Sequence, residues 1–364
     1  MSSFETVPAV CRHFGICGGC TEQDVPAAIY QAEKRQTLVD ALAQAGFGDA
    51  AIAPMVLVPM GTRRRVDFAA MRVAGAVRLG FHAARSRDVV DIVECPLALP
   101  SIAALIGPLR VLLGRLGGFR KSGSVLINAL DHGLDVSVVL DGEASAADRS
   151  WLVAFAREQG LVRISLGDEP VLVAGAVTLD VGGLVVTPPP GAFLQPTAAG
   201  EAAIRAAVMA GLPGKLTRKS RIVELYAGVG TLTGALLAQA RVQAFEGSKQ
   251  ACAALEAAAR LAGVTGRVVV ENRDLARRPV TAKELAGAAA VVLDPPFDGA
   301  GPQMRAIIES NVARVIYVSC NAEALAREAK WLRQGGFGVV AVTPIDQFPA
   351  SRHLESVVVF ARQA

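Results

Sequence analysis

The chain has 364 residues, 52% of them hydrophobic and 19% charged, with 36 glycines, 19 prolines and a formal net charge of +4. That length allows two domains, and the composition excludes a disordered or low-complexity chain. No apolar stretch reaches the ~18 residues of a membrane span, and Met1-Ser2-Ser3-Phe4-Glu5 lacks the basic-then-apolar layout of a signal peptide, so a cytoplasmic protein without a membrane partner is expected.

Residues 1–26 read as loop and carry Cys11, Cys17 and Cys20. A helical pattern covers 27–45 and stops at Gly46. Residues 55–93 are strand-like, alternating in Arg65-Val66-Asp67-Phe68-Ala69, with turn signals at Gly61, Gly75 and Gly80. A helix is expected over 97–116, then strands 124–130 and 134–140 joined as a hairpin through Asp131-His132-Gly133. Residues 144–159 return to helix, and short strands run to Val186. Thr187-Pro188-Pro189-Pro190-Gly191 is the strongest breaker. Beyond it the pattern is regular strand–helix alternation, with strands at 221–226, 242–246, 267–271, 289–293 and 312–319, and two late strands at 339–345 and 355–361. The pattern predicts an α/β fold with a doubly wound, mostly parallel sheet over 191–364, preceded by an α+β region over 1–190.

Charge is unevenly placed. Between Met60 and Gly123 there are eleven Lys or Arg against four Asp or Glu, including Arg63-Arg64-Arg65, Arg72, Arg78, Arg85 and Arg87. Lys215, Arg218, Lys219 and Arg221 form a second group. Such patches on a near-neutral chain suit a phosphate backbone, although a solvated surface has the same look.

Strand 221–226 runs into Ala227-Gly228-Val229-Gly230-Thr231, where glycines let a backbone approach a ligand at a strand–helix turn. The third glycine of a dinucleotide fingerprint is missing, since Gly234 sits one position late. Glu246 ends the next strand, in position to hydrogen-bond ribose hydroxyls, and Asp274 follows the third, in position to reach an adenine amino group. The fourth strand ends in Asp294-Pro295-Pro296-Phe297, a stiffened loop whose aromatic ring offers a base a stacking face. Cys320 closes the strand 312–319 at the edge where open sheets bind ligands, and Glu355 follows in His353-Leu354-Glu355-Ser356-Val357. Alone, Cys320 reads as a small buried residue; as a thiolate it is a nucleophile.

Glu224-Leu225-Tyr226-Ala227-Gly228-Val229-Gly230 resembles the first motif of S-adenosylmethionine-dependent methyltransferases. The order G-V-G, D-P-P-F, V-S-C-N, H-L-E-S-V resembles the RNA 5-methyluridine methyltransferases over most of the chain. Pro190-Gly191-Ala192-Phe193-Leu194-Gln195-Pro196 is similar to the family's F-x-Q segment, and Cys11 to Cys20 is similar to the iron–sulfur segment of its ribosomal RNA members. The resemblance implies a class I, Rossmann-like methyltransferase domain. It implies cofactor contacts from Gln195, Tyr226, Glu246 and Asp294, with Gly228 and Gly230 at the turn. Thr231 stands where relatives often carry Asn.

The chemistry asks for these residue types as well. Uracil C5 is too weak a nucleophile to take a methyl group until a thiolate adds at C6, and a base must then remove the C5 proton. Cys320 is the expected nucleophile and Glu355 the expected base, acting on a uridine drawn out of any stack. RNA 5-methylcytosine enzymes usually carry P-C in the fourth motif, and exocyclic-amine methyltransferases need no cysteine.

Cys11, Cys17 and Cys20 are spaced C-x5-C-x2-C, and Cys95 lies in Glu94-Cys95-Pro96. Four thiolates suit a [4Fe–4S] cluster, and proline after a ligand cysteine is common there; zinc on the same four stays open. A radical S-adenosylmethionine enzyme would want C-x3-C-x2-C. Cys252 is expected in the core, and a disulfide framework is not expected.

The reading is a uracil-C5 methyltransferase with an RNA partner and no evident protein partner. Ribosomal RNA is favoured, since transfer-RNA members typically lack the cluster cysteines. With a cysteine already at residue 11, no preceding RNA-binding barrel is expected. The alternatives are a transfer-RNA uridine-C5 enzyme, a non-catalytic RNA-binding iron–sulfur protein on the same fold, and a nicotinamide-dependent redox protein.

Overall fold

The computed structural model describes residues 6–363. A cysteine-bearing loop leads to helix α1 (Ala27–Gln44) and a short strand β1 (Val56–Leu57). Strands β2 (Arg65–Val73), β3 (Ala76–His82) and β4 (Val89–Asp91) follow, then α2 (Pro100–Ala103) and α3 (Ile106–Arg115). After these come β5 (Ser122–Leu130), β6 (Gly133–Leu140), α4 (Ala146–Glu158), β7 (Arg163–Leu166) and β8 (Glu169–Val173). The sheet order is β4-β3-β2-β5-β6-β7-β8, antiparallel except where β6 meets β7. Val66, Phe68 and Ala70 turn into a core with Val125, Ile127, Leu109 and Leu113, while Arg65 and Asp67 take the other face.

Two expectations change here. The helix expected over 97–116 is divided into α2 and α3. Pro108 has no N–H to offer the carbonyl of Ala104, so the helical ladder is weakened at the junction. Gly80 is not at a turn but inside β3, where a Cβ would stand 2.2 Å from the Val90 carbonyl oxygen, so glycine there admits the neighbouring strand.

A ribbon of β9 (Leu179–Asp180) and β10 (Val185–Val186) precedes the proline breaker. Next come α5 (Ala198–Gly211), β11 (Arg221–Leu225), α6 (Thr233–Gln239), β12 (Arg241–Glu246), α7 (Lys249–Leu261) and β13 (Val268–Asn272). The chain closes with α8 (Ala282–Leu285), β14 (Ala290–Leu293), α9 (Gln303–Glu309), β15 (Arg314–Ser319), α10 (Ala322–Gln334), β16 (Phe337–Asp346) and β17 (Glu355–Arg362). The large sheet runs β1-β16-β17-β15-β14-β11-β12-β13 and is parallel apart from β17, which is antiparallel to both neighbours. The expected mostly parallel α/β sheet is present.

Both faces of this sheet are covered, as parallel sheets require. Ile222, Val292, Ile316 and Val318 enter one core; Val223, Val291, Val315 and Tyr317 enter the other. Residues 27–58 belong to this body despite their early position: Leu38, Leu42 and Phe47 join the second core, and β1 pairs with Ile345 and Asp346. Strand order reverses between β11 and β14, which opens a crevice over their carboxyl ends. Among the described residues no helix is long and apolar enough to cross a membrane.

The arginine run splits by strand alternation. Arg64 turns inward, pairs with Glu201 of α5 and donates Nε to the Gln195 carbonyl at 3.1 Å. The basic stretch expected over 60–123 is therefore corrected at this residue: Arg64 is a buried strut between the two bodies. Arg221 is likewise engaged, with Gln243 and the carbonyls of Glu284 and Ala286. Arg78, Arg85, Arg87, Lys215, Arg218 and Lys219 remain exposed. Removing one partner of a buried pair strands the other charge, so Arg64→Ala is expected to destabilise the fold by about 3 kcal/mol. A denaturant midpoint equal to wild type would contradict that role.

Candidate active site

β11 ends at Leu225, and Tyr226 takes a left-handed φ of 63°, an uncommon conformation for a bulky residue. It turns the chain into Gly228 (φ 57°) and Gly230 (φ 100°). At Gly230 the left-handed φ favours glycine, and a Cβ there would stand 2.6 Å from Leu255 Cδ1 of α7, which would have to shift. The Gly228 N–H donates to Glu246 Oε2 at 2.8 Å, and the Ser248 N–H to Oε1 at 2.7 Å. Glu246 thus ties the first strand–helix turn to the second. Beneath the turn, buried Glu224 accepts from the Thr233 hydroxyl at 2.6 Å.

This turn floors a cavity of about 820 Å³ that also contains Gln195, Thr231, Asp294, Phe297, Cys320, His353 and Glu355 in its walls. Cys320 follows the last residue of β15, and Glu355 is the first of β17. Ser319 pairs with Ser356 across the two antiparallel strands, so the next register step sets Cys320 against Glu355. Asp294 follows β14 at the same edge. Asn321 caps α10 through its side-chain oxygen and donates Nδ2 to the Phe297 carbonyl at 2.9 Å, tying the cysteine loop to the proline loop. The Phe297 and His353 rings meet edge to face at 6.0 Å.

An amide relay joins the two acids. Gln195 Nε2 donates to Asp294 Oδ2 at 2.9 Å; Gln347 Nε2 donates to Gln195 Oε1 at 3.0 Å and to Glu355 Oε2 at 2.6 Å. Gln347 escaped the sequence reading. Its only signal there was a polar residue just past a strand end.

Burial pushes Cys320 up to about 12, with the Glu355 and Asp294 carboxylates adding to the shift. Glu355 is raised by burial and by Asp294, and Asp294 by burial. Burial also raises Glu224, to about 8. A carboxyl raised on folding favours the fold below its ordinary value, and that contribution is lost as pH climbs through the raised one. Glu224→Gln is therefore expected to melt about 2–4 °C above wild type at pH 8.5 and level with it at pH 5. A pH-independent difference in thermal scans would refute the cause.

Asp274 is not in the cavity wall. It sits exposed after β13, with Oδ1 accepting from the N–H groups of Ala276 and Arg277 at 3.0 and 3.3 Å. In this conformation it shapes its own turn, as strand-end acids commonly do. Gly230 supports the turn from behind; Gly228, Tyr226 and Thr231 reach the cavity. Cys252 is buried, as expected.

Cys11, Cys17, Cys20 and Cys95 all line a second, small cavity with His13, Arg63 and Phe81. The Cys17 backbone pairs with Ala83, and the Gly18 N–H donates to the His82 carbonyl at 2.9 Å, which docks the loop on β3. Burial raises the Cys17, Cys20 and Cys95 thiols, with neighbouring cysteines adding to each shift.

Residues 184–363 match the model of the tRNA (uracil-5-)-methyltransferase family. An RNA methyltransferase of Mesorhizobium japonicum is 39% identical over 98% of this chain and 85% of its own length. The 23S rRNA (uracil(1939)-C(5))-methyltransferase RlmD of Edwardsiella ictaluri is 34% identical over 97% of this chain and 82% of its own. Among solved structures, the Pyrococcus abyssi tRNA (uracil-54, C5)-methyltransferase in complex with S-adenosyl-L-homocysteine superposes with a TM-score of 0.70. It covers 95% of this chain and 86% of that one at 20% identity, a likeness of fold. With the turn, the proline loop and the strand-end cysteine in place, the chain belongs to the S-adenosylmethionine-dependent RNA uracil-C5 methyltransferase family.

Proposed function

We propose that this enzyme methylates a uridine of ribosomal RNA in the cytoplasm, with Cys320 as nucleophile and Glu355 as base. The observation that carries the reading is the register of β15 and β17, which brings the thiol and the buried carboxyl into the wall of one cavity with the glycine turn. Bound S-adenosylmethionine supplies an electrophilic methyl group; Tyr226, Gly228, Thr231, Glu246, Gln195 and Asp294 are the residues that would hold it. The Cys320 thiolate adds to C6 of the uracil, which leaves C5 electron-rich. Once C5 carries its methyl group, Glu355 takes the C5 proton, the C5=C6 bond re-forms and the sulfur leaves C6. Phe297 and His353 flank the space for the flipped base.

Ribosomal RNA is favoured by the 34% identity to an enzyme named for 23S rRNA and by the four clustered cysteines. Incubation with labelled S-adenosylmethionine and unmodified 23S rRNA or tRNA, followed by mapping, tests it. Label in 5-methyluridine of tRNA alone would transfer the assignment.

The cysteine cavity is assigned to a [4Fe–4S] cluster. Its donors are thiols contributed by two segments, Cys11 to Cys20 and Cys95, that meet around one space. Among the described residues no group of three or more His, Cys, Asp or Glu side chains forms a ready-made metal site, these four thiols included. Zinc held by the same four thiols is the alternative. Anaerobically purified protein is expected to contain iron and acid-labile sulfide in equal amounts, and Cys95→Ser to lose both. Zinc without sulfide would overturn the assignment.

A further inference from the structure

The base proposed above leaves one question of geometry: what aims its carboxylate. Glu355 is 3% exposed, and its two oxygens differ. Oε2 accepts from Gln347, while Oε1 is buried with no partner among the described residues. Gln347 is itself fully buried and spends both N–H bonds, one on Glu355 and one on Gln195. Its own Oε1 has no partner, so the amide is oriented by what it donates to. Helix α5 makes room for it: a Cβ on Gly200 would stand 2.6 Å from Gln347 Oε1 and 2.7 Å from Gln347 Cβ.

Resting on Glu355 being the base, we propose that Gln347 is a positioning residue, which occupies Glu355 Oε2 and so presents Oε1 as the atom that takes the C5 proton. In that step the C5–H bond breaks, its electron pair forms the C5=C6 bond, and the C6–S bond breaks with its pair returning to Cys320. Gln347 has its main effect on elimination, after addition and methyl transfer. It also links the base to Asp294 through Gln195, so the two acids are held by one chain of amides.

Asp294 from the end of β14 and Cys320 from the end of β15 are the titratable groups whose charge acts with Glu355 in this cavity; Gln195 and Gln347 are neutral. Gln347 and the Ser356 N–H oppose the rise that burial and Asp294 impose on Glu355. Deleting a donor to the carboxylate therefore raises its protonation range further, and the acid limb of the pH–rate profile must move to higher pH.

The test uses Gln347→Met, close in size but without N–H donors, and Gln347→Asn, which keeps an amide but withdraws it. With uridine RNA, turnover is expected to fall about 10–100-fold, with the acid limb displaced by about one pH unit. Covalent protein–RNA complex should accumulate on denaturing gels. With 5-fluorouridine RNA, where C5 carries no proton to remove, adduct should still form in both variants, its rate falling far less than turnover. That arm also reports correct folding, RNA binding and Cys320 attack. Wild-type turnover in both variants overturns the proposal, as does a parallel loss of adduct formation and turnover. A wild-type enzyme that traps no 5-fluorouridine RNA overturns the Cys320 mechanism itself, and this proposal with it.

Discussion

Cys320→Ala is expected to abolish methylation, with a loss on the order of 10⁴-fold or more, as removal of a covalent nucleophile commonly gives. Without sulfur, nothing at the end of β15 can add to C6, and uracil C5 stays unreactive. Affinity for S-adenosylhomocysteine should stay near wild type, because the glycine turn and Glu246 stand at the ends of β11 and β12, with β14 between them and β15 in the sheet. Calorimetry and a filter assay on the same preparation separate the two. The pH profile offers a second reading: burial and two nearby acids push the thiol up to about 12, so it is protonated near neutrality in the free protein. This thiol and the raised Glu355 carboxyl must both lose protons, so turnover should rise from pH 7 toward pH 9, provided the fold persists. Methylation retained by the alanine variant would remove Cys320 from the mechanism.

Glu355→Gln is expected to divide the reaction at its last step. Addition to C6 and methyl transfer need no carboxylate, but C5 deprotonation does, so turnover should drop about 10²–10⁴-fold while covalent RNA complex builds up. The amide can still accept from Gln347, which keeps the cavity packed. Quantifying complex on a denaturing gel against released 5-methyluridine measures the partition. Normal release would mean that another group takes the proton, with Asp294 the neighbouring acid.

Much of the fold is legible from patterning because the dominant force is burial with a fixed period. The hairpin at 131–133 and the strands from 221 onward stand where apolar periodicity and turn residues put them. Expectations failed where a residue has two uses. Glycine at 80 marks close strand approach as readily as a turn. Three consecutive arginines look like one patch, but alternation on a strand sends the middle one into the protein.

The linear chain by itself determined the chemistry available: a thiol and an acid in strand-end motifs, a glycine turn, a proline-stiffened loop and four cysteines in two segments. Those are matters of residue type and short spacing, which local sequence carries. Only the tertiary structure decided which of them meet. Glu355 begins its strand, whereas Cys320 and Asp294 follow theirs, and they share one edge because β17 alone runs antiparallel in the sheet. The same folding carried Gln347, a residue with no motif of its own, between Gln195 and Glu355, because hydrogen bonds across 152 and 8 residues of chain exist only after the strands have paired.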